Sequence, residues 1–322
     1  MVAKNKILII TVWFGEWPSY SSYFIKTLLK NPDFNWMLVA NQSKLPDYTD
    51  NLQIKLLSIS GFEKLASDQL GFPVQIRDPV KLCDFKPTFG RIFFEYLQDY
   101  DYWGYCDIDL ILGNLSKFIP PLITDEPDVV SFYPGFLSGP FCLFRNNEKT
   151  INLYAEVPSH RSVLQSPEHH AFDENILSPG NPSSPLRMAG LKIRYLAGLP
   201  FNMSAERCSL AEIAYQFQWY AKQHIRVVGH PADMTELVFQ EGSEGRLKAR
   251  FEALLRSDRE FSRLGRKDWR LTWEDGTLTD AGRRRELFGF HFSDLKNRKG
   301  FRVPDTEHQP DVFSLTGKGF EL

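Results

Sequence analysis

The sequence predicts an α/β protein whose sheet is mixed but mostly parallel. Two observations carry this. Apolar, β-branched runs alternate with stretches of helical spacing from the start of the chain, and no repeat recurs at any fixed period. The 322 residues suffice for one large or two modest domains, and 43% apolar residues allow a sizeable core.

Residues 6–13 (KILIITVW) form an apolar run of the kind a buried strand has. Residues 21–30 place Tyr23, Phe24, Leu28 and Leu29 on one side of a helix. Residues 35–40 (NWMLVA) read as a second strand, 52–59 as a third and 62–70 as a short helix. Residues 88–97 read as a helix opened by Pro87, near the first-turn position proline favours. Short strands follow at 102–106, 129–133 and 141–144. After residue 180 the pattern changes. Pro179, Gly180, Pro182 and Pro185 mark a loop. Residues 246–270 then read as a basic helix, with Leu247, Phe251, Leu254 and Leu255 as its apolar stripe. The expected organisation is a core over 1–200, a helical insertion over 201–270 and a closing segment over 271–322. The C-terminal region is expected to be helical and to pack on the sheet.

A net charge of −2 gives no bulk pull towards nucleic acid. The apolar run at 7–13 is far short of the roughly 20 residues a membrane span needs, and no small-residue cleavage site follows it. The four cysteines are scattered without a C-x-x-C pair, which speaks against a thiolate zinc site. The expected location is cytoplasmic and reducing; the basic 246–270 stretch reads first as a solvated helix face, with peripheral contact to an anionic inner membrane as the alternative.

Residues 99–113 (DYDYWGYCDIDLILG) contain two D-x-D triplets. Asp99 and Asp101 precede the predicted strand and read as a solvated turn. Asp107 and Asp109 stand at its carboxyl end, where open α/β sheets bind ligands. Paired carboxylates there suit a hard divalent cation, Mn2+ or Mg2+, which neutralises a departing diphosphate. Lys86, beside a predicted helix N-terminus, suits an anion, and Asp84 suits either sugar hydroxyls or a helix cap.

The stretches Lys81-Leu82-Cys83-Asp84-Phe85-Lys86-Pro87 and Tyr100 to Asp109, with Gly113 behind them, resemble uncharacterised bacterial proteins assigned to the GT-A glycosyltransferases. The segment 286–299 (ELFGFHFSDLKNRK) resembles the same group's closing motif, and the likeness spans roughly residues 5–180 and 270–300. The resemblance implies a single Rossmann-like GT-A domain that uses a nucleotide-sugar. A UDP-sugar is the expected donor, and a glycan or lipid-linked glycan the expected acceptor.

By the same resemblance, Asp107 lies near the ribose or the metal, and Asp109 ligates the metal. His291 and Lys296 match the late histidine and lysine of the retaining glycogenin and galactosyltransferase kind, with Asp294 where that kind has glycine. Imidazole is a sound third ligand for Mn2+, and Lys296 and Arg298 suit phosphate oxygens. The resemblance also implies nucleoside contacts from Trp13 or Phe14, Gly15 and Asn41. It places Asp173 and Glu174 against the acceptor, as base or sugar holder. Two rivals stand beside this reading. A nucleotidyltransferase would usually show a glycine-rich phosphate loop near the N-terminus, which this sequence lacks. A non-catalytic glycan-binding protein that kept the fold would lose no ligand on replacement of Asp107 and Asp109.

Overall fold

The apolar runs at the start of the chain form the expected strands. The computed structural model describes residues 5–42, 51–133, 136–173, 233–266, 268–304 and 311–322. Its strands are β1 (Ile7–Trp13), β2 (Asn35–Ala40), β3 (Leu52–Leu56), β4 (Tyr102–Cys106), β5 (Leu110–Leu112), β6 (Val129–Ser131), β7 (Phe141–Arg145) and β8 (Ala249–Phe251). They continue as β9 (Leu255–Ser257), β10 (Arg270–Glu274), β11 (Thr277–Asp280), β12 (Arg285–Leu287), β13 (Gly289–His291), β14 (Val312–Thr316) and β15 (Gly319–Glu321).

The main sheet runs β3-β2-β1-β4-β7-β6-β8. Strands β3, β2, β1 and β4 are mutually parallel, β7 is antiparallel to both its neighbours, and β6 pairs with β8 in parallel. The mixed, mostly parallel sheet is therefore the one expected. Because side chains alternate across a strand, Ile7 and Ile9 enter one core while Leu8 and Ile10 enter the other. Burial on both faces explains why β1 reads as a continuous apolar run.

The helix Ser21–Leu29 turns Tyr23, Phe24 and Leu28 into the first core. The helix Ile59–Leu70 turns Phe62 and Ala66 into the second, capped at its start by the Ser58 hydroxyl and ended by Gly71 at φ +76°.

Three expectations are corrected. The third strand is shorter than 52–59, ending at Leu56, and the helix after it already begins at Ile59. Residues 88–97 are not one helix but a chain of short turns, with 3-10 turns at Lys86–Thr88 and Phe94–Tyr96 around Phe89–Ile92. Phenylalanine, threonine and glycine are poor helix formers, and Gly90 sits so close to Trp103 that a Cβ there would lie 2.5 Å from the indole.

The third correction concerns the C-terminal region: apart from the helix Met234–Ser243, its described residues are mostly strands and short turns. Within 246–270 the described residues give β8, β9 and the six-residue helix Asp258–Arg263. Sheet partners override the helical spacing: Phe251 pairs with Ser131 of β6, and Leu255 with Gly289 of β13. Beyond it lie an antiparallel sheet, β12-β11-β10-β14-β15, and a small one, β5-β13-β9. Trp273, Phe313 and Phe320 from the antiparallel sheet join the same core as Ile7 and Tyr23. Residues 201–232 of the expected insertion lie outside the described residues. Among the described residues no helix is long and apolar enough to cross a membrane.

Candidate metal and donor site

Strand order decides where the crevice lies. From β1 the chain adds β2 and β3 on one side and β4 on the other, so the order reverses between β1 and β4. Ligands of open α/β sheets bind beyond the carboxyl ends of the strands at such a point. The Thr11 hydroxyl ties the two strands there by donating to the Cys106 carbonyl at 2.8 Å. Asp107 and Asp109 follow β4 directly. Asp99 and Asp101 stand at its other end, with Asp101 accepting from the Lys6 amide.

The two aspartates meet different partners. Lys86 Nζ lies 2.7 Å from Asp107 Oδ1, donates to the Gly139 carbonyl at 2.9 Å, and stands 3.7 Å from Asp173 Oδ2. Burial alone would lower the Lys86 ammonium. The neighbouring charges, Asp107 first, outweigh burial and hold it well above its ordinary value.

Asp109 is buried. Its Oδ2 lies 2.6 Å from Lys296 Nζ and 3.3 Å from His291 Nε2. Burial works to raise this carboxyl, but His291 and Lys296 reverse the effect and hold it far below the usual range. His291 arrives at the end of β13, which pairs antiparallel with β5, and the Phe292 amide donates to the Asp109 carbonyl at 3.1 Å. Ligand atoms of Asp107, Asp109 and His291 all lie within 4.8 Å of one another. Two carboxylates and an imidazole form a donor set that fits Mn2+ and, less well, Mg2+, whose ligands are normally oxygens.

The other expected residues fall into place around this centre or away from it. Gly15 turns the chain after β1 at φ +117°, and its amide donates to Asn41 Oδ1 at 3.1 Å. Both sit at the mouth of the crevice. Phe14 does not: it is 3% exposed and packs edge-on against Phe62, so the expected base contact is corrected to a core contact. Trp13, partly exposed, stands on the opposite face of the strand against the first core.

Asp84 is also corrected. It is fully buried, pairs with the equally buried Lys81 at 2.8 Å, and accepts the amides of His170 and Phe172 at 2.9 Å each. A carboxylate enclosed in this way supports the 168–173 segment and offers no face to a sugar. Lys81 spends its remaining donors on the carbonyls of Val163 and Glu168. That segment carries Asp173 to Lys86. Glu174 lies outside the described residues. Asp84, His169 and Asp173 also bring ligand atoms together, but Asp84 is fully enclosed and both its oxygens are already engaged, by Lys81 and by the amides of His170 and Phe172.

Two tyrosines complete the surroundings and had no signal in the sequence. The Tyr133 hydroxyl lies 3.4 Å from His291 Nδ1. Tyr20 stands edge-on to Phe292 with the Lys296 ammonium nearby, and burial pushes its phenol up to about 12. Each belongs to an aromatic-rich stretch that reads as core, and only the fold turns it towards charged neighbours.

Residues 9–299 match a family of unknown function, DUF6625. No curated protein matches. Among solved structures the chain is similar to the apo structure of the bifunctional glycosyltransferase WbbM, at 11% identity and a TM-score of 0.31, covering 52% of this chain and 35% of that one. It is also similar to the galactosyltransferase LgtC in complex with donor and acceptor sugar analogs, at 12% identity and a TM-score of 0.32, covering 74% of this chain and 100% of that one. An active-site mutant of LgtC gives 12% identity and 0.30, with 67% and 83% covered. Likeness of this degree carries no argument about activity, so the functional reading rests on the geometry of the site itself.

Proposed function

We propose that this chain, which belongs to the DUF6625 family of unknown function, is a GT-A glycosyltransferase. It moves a sugar from a nucleotide-sugar, in our reading a UDP-sugar, to a hydroxyl of a glycan or lipid-linked glycan. Asp107, Asp109 and His291 are its ligands for Mn2+ or Mg2+. One observation carries the reading: two aspartates at the switch point of the sheet meet a histidine from the far end of the chain, and a lysine flanks each aspartate.

The bound cation would supply charge neutralisation for the leaving diphosphate. The chain's own groups do the rest. Lys296 and Lys86 stand where phosphate oxygens and the donor sugar offer them partners in addition to Asp109 and Asp107. Gly15 and Asn41 border the place for the nucleoside. Asp173, held beside Lys86, orients the acceptor hydroxyl or takes its proton, together with Glu174. The late histidine segment favours retention at the anomeric carbon. A chain of this activity belongs in the cytoplasm, peripheral to the membrane that carries lipid-linked acceptors.

A thermal-shift panel of nucleoside diphosphates, each with and without Mn2+, tests the reading. UDP with Mn2+ is expected to raise the midpoint, with a stabilisation of about 2.7 kcal/mol at a hundredfold excess over the dissociation constant. UDP alone should do little, and Asp109→Asn should abolish the shift. If no nucleotide shifts the wild type under either condition, the proposal fails.

A further inference from the structure

The helix Asp258–Arg263, the start of β10 and the turn between β14 and β15 enclose a cavity of about 570 Å³. Small-ligand pockets occupy about 300–1,000 Å³, so the volume suits one. None of the lining residues belongs to the donor site. The cavity is nevertheless its neighbour: Ser257 lies opposite His291 in the small sheet, and the next residue, Asp258, lines the cavity.

Expected beside Lys296 as a phosphate contact, Arg298 instead lines this cavity. The turn Leu295–Asn297 parts the two side chains. The Lys296 ammonium meets Asp109, whereas Arg298 Nη2 lies 3.9 Å from Asp258 Oδ2, too far for a hydrogen bond. Asp258 is 2% exposed, and among the described residues neither of its carboxylate oxygens has a hydrogen-bond partner. A buried carboxylate left so is costly, and in native proteins such a group calls for a partner.

The walls decide what that partner is. Arg266 and Arg270 are already paired, with Asp280 and Glu321, which leaves Arg298 and Lys318 as the wall's cationic donors. These two oppose a cationic ligand, and the buried Asp258 opposes an anion. A neutral polyol satisfies both, because its hydroxyls donate to the carboxylate while their lone pairs accept from Arg298 and Lys318. Trp269 adds an apolar stretch of wall for the carbon face of a sugar ring. We propose that this cavity binds a neutral oligosaccharide, with Asp258 accepting from its hydroxyls and Arg298 donating to its oxygens. The site goes beyond the donor-site reading and needs neither nucleotide nor metal.

The test is a panel of neutral trisaccharides of glucose, galactose, mannose and N-acetylglucosamine. Each is offered to the full chain without nucleotide or metal, and binding is followed by saturation-transfer NMR and thermal midpoint. At least one is expected to bind. Asp258→Asn keeps the shape and removes the charge, and Arg298→Ala removes the donor. Each should weaken that binding roughly tenfold or more, as loss of one hydrogen bond to a charged group does. Without sugar, Asp258→Asn should melt no earlier than the wild type, because it relieves a buried unpaired charge. A purely structural Asp258 would do the reverse, with a lower midpoint and unchanged affinity. Ser262 is exposed at the cavity's edge, so Ser262→Trp should block the sugar even if Asp258→Asn fails to fold. The shift produced by UDP with Mn2+ should survive in Ser262→Trp, so either reading can fail without the other. Inorganic phosphate is the comparison: phosphate bound in preference to every sugar, and lost in Arg298→Ala, would make this an anion site and overturn the proposal. So would a panel in which no trisaccharide binds, or binding that all three variants leave intact.

Discussion

Three aspartates show how surroundings, rather than residue type, set the chemistry. Asp107 lies against one ammonium at the crevice wall. Asp109 is buried, yet His291 and Lys296 keep its carboxyl far below the ordinary range. Asp233 is buried, and among the described residues no such cation stands beside it. It caps the helix Met234–Ser243 by accepting the Glu236 amide, and burial drives its pKa up to about 7 against that bond. An unfolded aspartate titrates near 3.9. Between these values the folded state keeps a proton that the unfolded state has released. The stability Asp233 contributes is therefore complete below about pH 4 and is lost as the pH rises through about 7. Asp233→Asn keeps an oxygen for the Glu236 amide and cannot ionise. Its thermal midpoint is expected to match the wild type at acid pH and to exceed it above neutrality. Two curves that run parallel across the range would show that this carboxyl does not titrate as described.

At the scale of elements, the seam between β5 and β13 joins the two ends of the donor site, and Gly113 keeps it closed. Its amide donates to the Phe288 carbonyl at 2.9 Å, and a Cβ at this position would lie 2.1 Å from the Leu287 carbonyl oxygen. Backbone on both sides leaves nothing to move cheaply. Gly113→Ala should cost about 1–3 kcal/mol, measured as a lower denaturation midpoint. It should also shrink the nucleotide shift that depends on Mn2+, because Asp109 and His291 would part. An unchanged midpoint would mean that the seam is looser than the backbone distances require. This seam also marks where sequence patterns stop being informative. Residues 35–40 read as a strand to the residue, because so short an apolar run has the length of a buried strand and not of a helix. The stripe of Leu247, Phe251 and Leu255 has helical spacing, yet β6 and β13 offer its residues sheet partners that no local pattern records. Strand polarity was enough to put Asp107 and Asp109 at a carboxyl end. The reversal of strand order there, and the approach of Tyr20 and Tyr133, exist only once the sheet is assembled.

For the molecule as a whole, the question is whether the C-terminal sheet is an appendage or part of one cooperative unit. The packing favours one unit. Tyr23, from the first helix, stacks on Phe320 of β15 with ring centroids 4.0 Å apart and meets Phe313 of β14 edge-on at 4.8 Å. Phe320 also meets Phe292, the residue after His291, at 5.6 Å, and Phe292 meets Tyr20 at 5.2 Å. A continuous run of aromatic contacts thus links β15 to the residues around Lys296 and to the helix that covers β1. The surface pairs Lys26–Asp311 and Lys30–Asp275 cross the same boundary, but they are exposed and add little. Phe320→Ala would leave a cavity among these rings and should cost about 3–5 kcal/mol. If the rings bind the two sheets into one unit, the loss is shared: far-ultraviolet and near-ultraviolet signals should move together to a lower denaturant midpoint, in a single transition. An early step that melts the C-terminal strands alone, with the main sheet unmoved, would show two units, and His291 would then belong to the weaker one.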